Sequence, residues 1–203
     1  MGVENIVGDQ KTKQAIVAAA QETGVSADQL YAMAIMESGG DRNIDENRPN
    51  PPYTGLMQMS PDAAGEVGFT NFSSLTGQDN VDQNVLAGAE YMKLNATRIG
   101  NLEPNALNLY LAHQQGATGL LNLHEVLQTN PDSAVTPNQS NNLGGEEGDQ
   151  YKAILEQTGK NTVSQKDFYE YYQGRMGAID DAVAQSELGI GNTLLEIVQK
   201  IGF

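Results

Sequence analysis

Apolar side chains recur at helical spacing along most of the chain, and the alternation typical of half-buried strands is rare. The pattern predicts a first helix at residues 11–22 and a second at residues 27–38. The second helix lies between Ser26, a favourable N-cap residue, and Gly39, a favourable terminator. Ser60 is followed by proline, which predicts the start of another helix. The chain is therefore predicted to be mainly α.

The later helices are marked by apolar positions at Val81, Val85, Ala89, Met92, Ala106, Leu107, Tyr110, Leu111 and in 120–127. Two polar stretches rich in proline or asparagine, 41–53 and 130–149, are predicted to be loops. Ser164 predicts the N-terminus of a late helix with three tyrosines, which either bind sugars or cover the edge of a core.

The predicted division is one domain at residues 1–176, with its motifs in 24–130, and an amphipathic tail at 177–203. Two interpretations of the tail remain open, because such a segment either packs on its own domain or docks on a partner.

The chain of 203 residues has a formal net charge of -15. This charge argues against nucleic acid and anionic membrane surfaces as partners. No apolar run approaches the roughly 18 residues that a membrane-spanning helix needs. The N-terminal 13 residues lack the apolar core of a secretory signal, so we expect no classical signal peptide. Cysteine is absent and only two histidines occur, so the sequence predicts neither a metal site nor another cofactor.

Glu37 is the candidate catalytic residue. Leu30, Met33 and Ala34 precede it at spacings that place all four on one face of the predicted helix. Glu37 also falls in the last turn, where the helix dipole disfavours negative charge. Burial and the dipole both raise the pKa of a carboxyl group, as a general acid near neutral pH requires. From spacing alone, a solvated glutamate at the edge of the apolar face is the alternative interpretation.

Four short motifs follow one another along the chain. Glu37-Ser38 is followed by Gly55-Leu56-Met57-Gln58, by Asn84-Val85 with Gly88 and Tyr91-Met92, and by Tyr110-Leu111-Ala112-His113-Gln114-Gln115-Gly116. In this order and spacing they resemble the soluble lytic transglycosylase (SLT) family, and the last motif resembles its phage and virion-associated branch.

The resemblance implies a lysozyme-like, mostly α fold with a sugar-binding cleft. It also implies cleavage of the bond between N-acetylmuramic acid and N-acetylglucosamine in peptidoglycan glycan strands. By the same resemblance, Glu37 matches the catalytic acid and base, and Gln58 matches a glutamine that lines the cleft. Tyr110 and His113, with Gln114 beside them, are expected to orient the acid or the sugar. From spacing alone, His113 is equally a core histidine.

Two further residues are candidates for substrate binding, Ser38 beside the acid and Tyr53 before the second motif. Tyr53 either contacts the sugar or packs on Pro51 and Pro52. His124 matches no motif and is predicted to lie on the surface. Leu56, Met57 and Met59 are predicted to be core residues, and Gly88 is predicted to allow close helix packing.

Two enzymatic mechanisms remain open at this point. Asp41, Asp45, Glu46 and Asp62 lie nearby in sequence, but none falls on a matched motif. The resemblance therefore implies one carboxylate that forms a 1,6-anhydro product, and a lysozyme-like hydrolase is the alternative. A third interpretation is a non-catalytic component that binds the wall. The acidic charge and the N-terminus favour a chain delivered to the bacterial periplasm or cell wall in a virion or secretion machine, with other proteins of that machine as partners.

Overall fold

The structure is a computed structural model, and it describes residues 10–40 and 53–185. Within those residues the chain forms α-helices joined by turns and short 3₁₀ segments, and its bridges between extended residues are isolated ones. The helices are α1 (Gln10–Thr23), α2 (Ala27–Ser38), α3 (Pro61–Glu66), α4 (Val81–Arg98), α5 (Ala106–Thr129), α6 (Pro137–Asn142), α7 (Asp149–Thr158) and α8 (Gln165–Gln185). The predicted mainly α fold is confirmed.

The described residues divide into two compact units. The first contains the residues up to Thr97 and those from Ala178 on, and the second is Arg98–Gly177. The predicted domain boundary at 176/177 falls inside α8, and the tail from 186 on lies outside the described residues. The predicted division into domain and tail therefore stays a prediction.

In the first unit, α1 and α2 pack against each other through small and aliphatic side chains. The predicted bounds of both helices are confirmed to within a residue at each end. Ser26 caps α2 by accepting the backbone N–H of Asp28, and Gly39 ends the helix in the left-handed conformation at φ 64°. Ser60 caps α3 by accepting the N–H of Ala63, with proline at the first helical position as predicted.

The second unit begins with α5, which is interrupted at Gly116, where φ is 72° and ψ is 158°. Glycine suits this point because a side chain rarely adopts such a φ. As predicted, Ser164 precedes α8, and its Oγ accepts the backbone N–H of Asp167 at 3.2 Å. In turn, the backbone N–H and the hydroxyl of Ser164 donate to Oδ2 of Asp167. Lys160 Nζ donates to both carboxylate oxygens of Asp167.

The prediction of a loop throughout 130–149 is wrong, because α6 lies inside it. Thr136 and Gln139 form a capping box at the N-terminus of α6. Gln139 is buried, and its Nε2 donates to Oε1 of Gln165 at 2.8 Å. A short polar helix is stable here because its caps and this buried bond replace an apolar face. In the described part of the chain, no helix combines the length and the apolarity needed to span a bilayer.

Candidate functional site

Helix α2 places Glu37 at the end of a buried stripe. Leu30, Met33 and Ala34 are each at most 1% exposed, and Glu37 continues their face into the last turn. The side chain of Glu37 is half-buried, and its Oε1 is shielded from solvent. The last turn of α2 contains no basic residue, so no cation of that turn offsets the negative end of the helix dipole. The side chain is therefore neither fully buried nor fully solvated, and the catalytic role of Glu37 stays a prediction.

Ser38 lies next to Glu37 and is buried. Its hydroxyl donates to the carbonyl of Ala34 at 2.8 Å, one helical turn earlier. The hydroxyl proton is thus engaged within α2, which leaves only acceptor lone pairs for the predicted contact with substrate.

The second motif forms a tight turn. Thr54 and Met59 exchange backbone hydrogen bonds of 2.9 and 3.0 Å, and the N–H of Gln58 donates to the carbonyl of Gly55. As predicted, Leu56, Met57 and Met59 are core residues with at most 1% exposure. The turn thus presents Gln58 while burying the side chains beside it.

Gln58 has an uncommon backbone conformation. Its φ is +44°, and among residues 10–40 and 53–185 it is the one non-glycine residue with a positive φ. This left-handed conformation is strained for a residue with a side chain, and such strained residues are concentrated at functional sites. The side chain is half-buried, and its Nε2 donates to the carbonyl of Gly55 at 2.8 Å. This bond orients the amide of Gln58 and leaves its carbonyl oxygen as an acceptor.

Asn84 on α4 holds this turn in place. Its Oδ1 accepts the N–H of Met57 at 2.8 Å, and its Nδ2 donates to the carbonyls of Thr54 at 2.9 Å and Leu75 at 3.3 Å. The side chain is 1% exposed, so these bonds are made away from water. The sequence singled out Asn84 only as part of a motif, and its role as a clamp emerges from partners 9, 27 and 30 residues away.

Two glycines make the close approach of turn and helix possible. A Cβ built on Gly88 of α4 would lie 2.7 Å from Cγ and 2.8 Å from Cβ of Met57. A Cβ on Gly55, where φ is +69°, would collide with the amide of Asn84. The prediction that Gly88 allows close packing is confirmed, and its partner is the turn rather than another helix.

Tyr53 precedes the turn and is 54% exposed. Pro51 and Pro52, on which it was alternatively expected to pack, lie outside the described residues. Its contact with sugar stays a prediction.

The remaining predicted site residues belong to the second unit, on α5 before the break at Gly116. Tyr110 is buried, and its hydroxyl accepts from Nε2 of Gln114 at 2.6 Å. His113 is half-buried, with its Nδ1 shielded from solvent. The structure thus joins Tyr110 to Gln114 as expected. The convergence of these residues with Glu37 on one cleft stays a prediction.

The three late tyrosines belong to the edge of a core. Tyr172 is 1% exposed, and its ring centroid lies 5.4 Å from that of Tyr110 and 5.0 Å from that of Phe168. Tyr171 packs on Tyr172 and lies under the guanidinium of Arg175. The ring of Tyr172 therefore packs against the ring of Tyr110, a contact that no motif indicated.

The prediction of a surface position for His124 is wrong. The ring is half-buried, its Nε2 bonds to Oδ1 of Asn108 at 3.1 Å, and it contacts the ring of Tyr169 edge-on. Burial lowers the pKa of His124. The late helix α8, which sequence spacing alone does not place beside α5, is what covers this histidine.

The carboxylates considered as a second acid divide into two groups. Asp62 is exposed on α3, and Asp41, Asp45 and Glu46 lie outside the described residues.

Comparison with known proteins adds a family match. The family model described as Transglycosylase SLT domain matches residues 14–144. This range includes Glu37, the turn, its clamp Asn84 and the polar residues of α5. A search of curated proteins found no match to the chain.

Proposed function

The chain belongs to the transglycosylase SLT domain family, and from that premise we propose that it cleaves the β-1,4 bond between N-acetylmuramic acid and N-acetylglucosamine. The product that we propose is a 1,6-anhydro sugar at the new end of the glycan strand. The family has a lysozyme-like, mostly α fold and acts on peptidoglycan, and the helices of this chain are consistent with that fold.

The observation that supports catalysis is the setting of Glu37. It is a half-buried carboxyl at the negative end of a helix, with Oε1 shielded from solvent. A protonated carboxyl is what a glycosidic oxygen needs when the bond to the leaving sugar breaks.

The proposed reaction uses this one carboxyl twice. Glu37 first gives its proton to the glycosidic oxygen, the bond from C1 to that oxygen breaks, and the substrate's own N-acetyl oxygen bonds to C1. Glu37, now a carboxylate, then takes the proton of the 6-hydroxyl as O6 bonds to C1 and displaces the N-acetyl oxygen. The carboxyl is restored, and no water is consumed.

The other predicted site residues bind and orient in this proposal. Gln58 offers its amide oxygen from a rigid turn, since Asn84 fixes the turn and Gly55 fixes the amide. Tyr110 is held by Gln114 and Tyr172, which supports a role in orienting a partner through its hydroxyl. His113, Gln114, Ser38 and Tyr53 complete the proposed contacts with sugar.

The proposed setting is local wall degradation by a chain delivered in a virion or secretion machine to the periplasm or cell wall. The net charge of -15 supports delivery within an assembly, because an acidic protein gains no long-range attraction to an anionic wall. The proposed partners are the glycan strands and other proteins of that machine.

Mass spectrometry of the products tests the reaction. Purified peptidoglycan is digested to completion, and the released muropeptides are compared with those of a muramidase digest. We expect products lighter by one water for each cleavage. Products of the hydrolysed mass would instead identify a lysozyme-like hydrolase and contradict the proposed second step.

A further inference from the structure

Asn95, near the C-terminus of α4 in the first unit, has a fully buried amide. Its side chain is 0% exposed, and both Oδ1 and Nδ2 are shielded from solvent. Among the residues that the structure describes, neither atom has a hydrogen-bond partner. Burying an amide costs free energy unless it is hydrogen-bonded, and buried polar groups of native proteins nearly always have a partner. The amide of Asn95 therefore indicates a partner that the described residues do not supply.

Asn84 shows how α4 satisfies the same side chain elsewhere. The two asparagines are 11 residues apart, which places them within about 20° of each other around the helix and about 16 Å apart along it. Asn84 is 1% exposed, and both polar atoms of its amide are bonded to the protein, mainly to the turn that contains Gln58. Asn95 lies about three helical turns beyond those contacts and has none of its own.

Local chemistry does not favour an asparagine at position 95. Tyr91 and Met92, four and three residues earlier, adjoin it on the helix surface, and both are buried. Fully buried positions are usually apolar, and asparagine has a lower helix propensity than leucine or methionine. A bound partner accounts for an amide that neither apolar packing nor helix propensity favours.

The partner of this amide must both donate and accept hydrogen bonds. Oδ1 accepts, whereas Nδ2 donates, so a cation would match only the oxygen and an anion only the nitrogen. The position is also 0% exposed, which favours the smallest molecule that has both functions. Water has both, and a buried water typically makes about three hydrogen bonds to polar groups that otherwise have no partner.

We propose that Asn95 binds an internal water molecule, which donates to Oδ1 and accepts from Nδ2. Helix α4 is thus held by bonds to the protein at Asn84 and by a bound water at Asn95. The water site is independent of the proposed function, because it follows from the burial and hydrogen bonding of one residue outside the four motifs.

A high-resolution crystal structure of the full chain tests the site directly. We expect an ordered water within about 2.7–3.2 Å of both amide atoms of Asn95. In Asn95→Leu, whose side chain has no polar atom, this water should be lost. A wild-type structure in which the amide of Asn95 bonds only to protein atoms, or has no water within hydrogen-bond distance, would overturn the proposal.

Urea denaturation provides a second test, with Asn84→Leu as the matched comparison. Leucine is larger than asparagine, and the space of the displaced water accommodates it at position 95. Asn84→Leu leaves the N–H of Met57 and two carbonyls without their partner, whereas Asn95→Leu removes no bond to the protein. We therefore expect the urea midpoint to fall less in Asn95→Leu than in Asn84→Leu. An equal or larger fall in Asn95→Leu would count against the site, because it would mean that the amide has protein partners or that no space for water exists.

Discussion

Gly88→Ala tests the packing of the turn on α4. The new Cβ would lie 2.7 and 2.8 Å from Cγ and Cβ of Met57, and normal contacts are longer by more than half an ångström. Met57 has little room to move, because it is fully buried and its backbone N–H is bonded to Asn84. The Cβ of Met57 is also fixed to that backbone, so a change of rotamer relieves only part of the collision.

The expected change in the free energy of unfolding of Gly88→Ala follows from two opposing effects. Overpacking a buried site costs about 1–3 kcal/mol. Replacing glycine by alanine inside a helix returns about 1 kcal/mol. Gly88→Ala should therefore lower the free energy of unfolding by about 0–2 kcal/mol.

The matched control is Gly174→Ala on α8. A Cβ there meets nothing within 4 Å, so only the helix-propensity gain of about 1 kcal/mol applies. Urea denaturation of both variants should therefore place Gly88→Ala about 1–3 kcal/mol below Gly174→Ala. In Met57→Ala/Gly88→Ala, the shortened side chain should cancel part of the cost, giving less than the sum of the single changes. If Gly88→Ala stabilises the chain as much as Gly174→Ala does, the described contact between turn and helix is refuted.

Three further predictions concern the turn and the second unit. Gln58→Gly and Gln58→Ala both remove the side-chain bond to Gly55, but only glycine relieves the strain of a positive φ, so Gln58→Gly should have a free energy of unfolding about 1 kcal/mol above that of Gln58→Ala, with reduced wall cleavage in both; a lower stability of the glycine variant would contradict the strain. Asn84→Ala removes three buried bonds and should cost about 2–4 kcal/mol in urea denaturation, and a cost near zero would refute the clamp. Burial raises the pKa of Asp167, but bonds from Lys160 and Ser164 outweigh it and hold the pKa below its usual 3.8. The stability from Asp167 is therefore present above pH 3.8 and lost as the pH falls through the lowered pKa, so the urea midpoint of Asp167→Asn should depend less on pH in that acid range than that of the wild type.

The helices could be predicted where local chemistry determines them. Helix α2 combines an N-cap serine, an apolar stripe and a terminating glycine, and each of these is a property of neighbouring residues. The same holds for the N-terminus of α3, where Ser60 and Pro61 act together. In such segments local propensity and tertiary packing favour the same structure.

The missed features depend on contacts between distant residues. Helix α6 has a polar composition typical of a loop, and the bond from Gln139 to Gln165 that stabilises it joins residues 26 positions apart. The clamp of Asn84 likewise joins residues 27 and 30 positions apart. His124 was assigned to the surface because its sequence neighbours do not reveal that Tyr169 covers it.

For the candidate site, sequence spacing predicted the partial burial of Glu37 and the proximity of Tyr110 and Gln114, and each of these follows from the geometry of a single helix. The conformation of Gln58 could not be predicted in this way. Its positive φ is imposed by the turn that Asn84 and Gly55 hold, and a glutamine has no intrinsic preference for that region.

The central claim is that Glu37 is the catalytic acid and base, and the release of soluble fragments from purified peptidoglycan by Glu37→Gln tests it most directly. The change keeps the size of the side chain and removes its proton transfer, which contributes about 10²–10⁴-fold in such reactions. We predict a rate at least about 100-fold below the wild type, with an unchanged urea midpoint and with full activity in the exposed control Glu22→Gln. Activity of Glu37→Gln within a few-fold of the wild type would contradict the account.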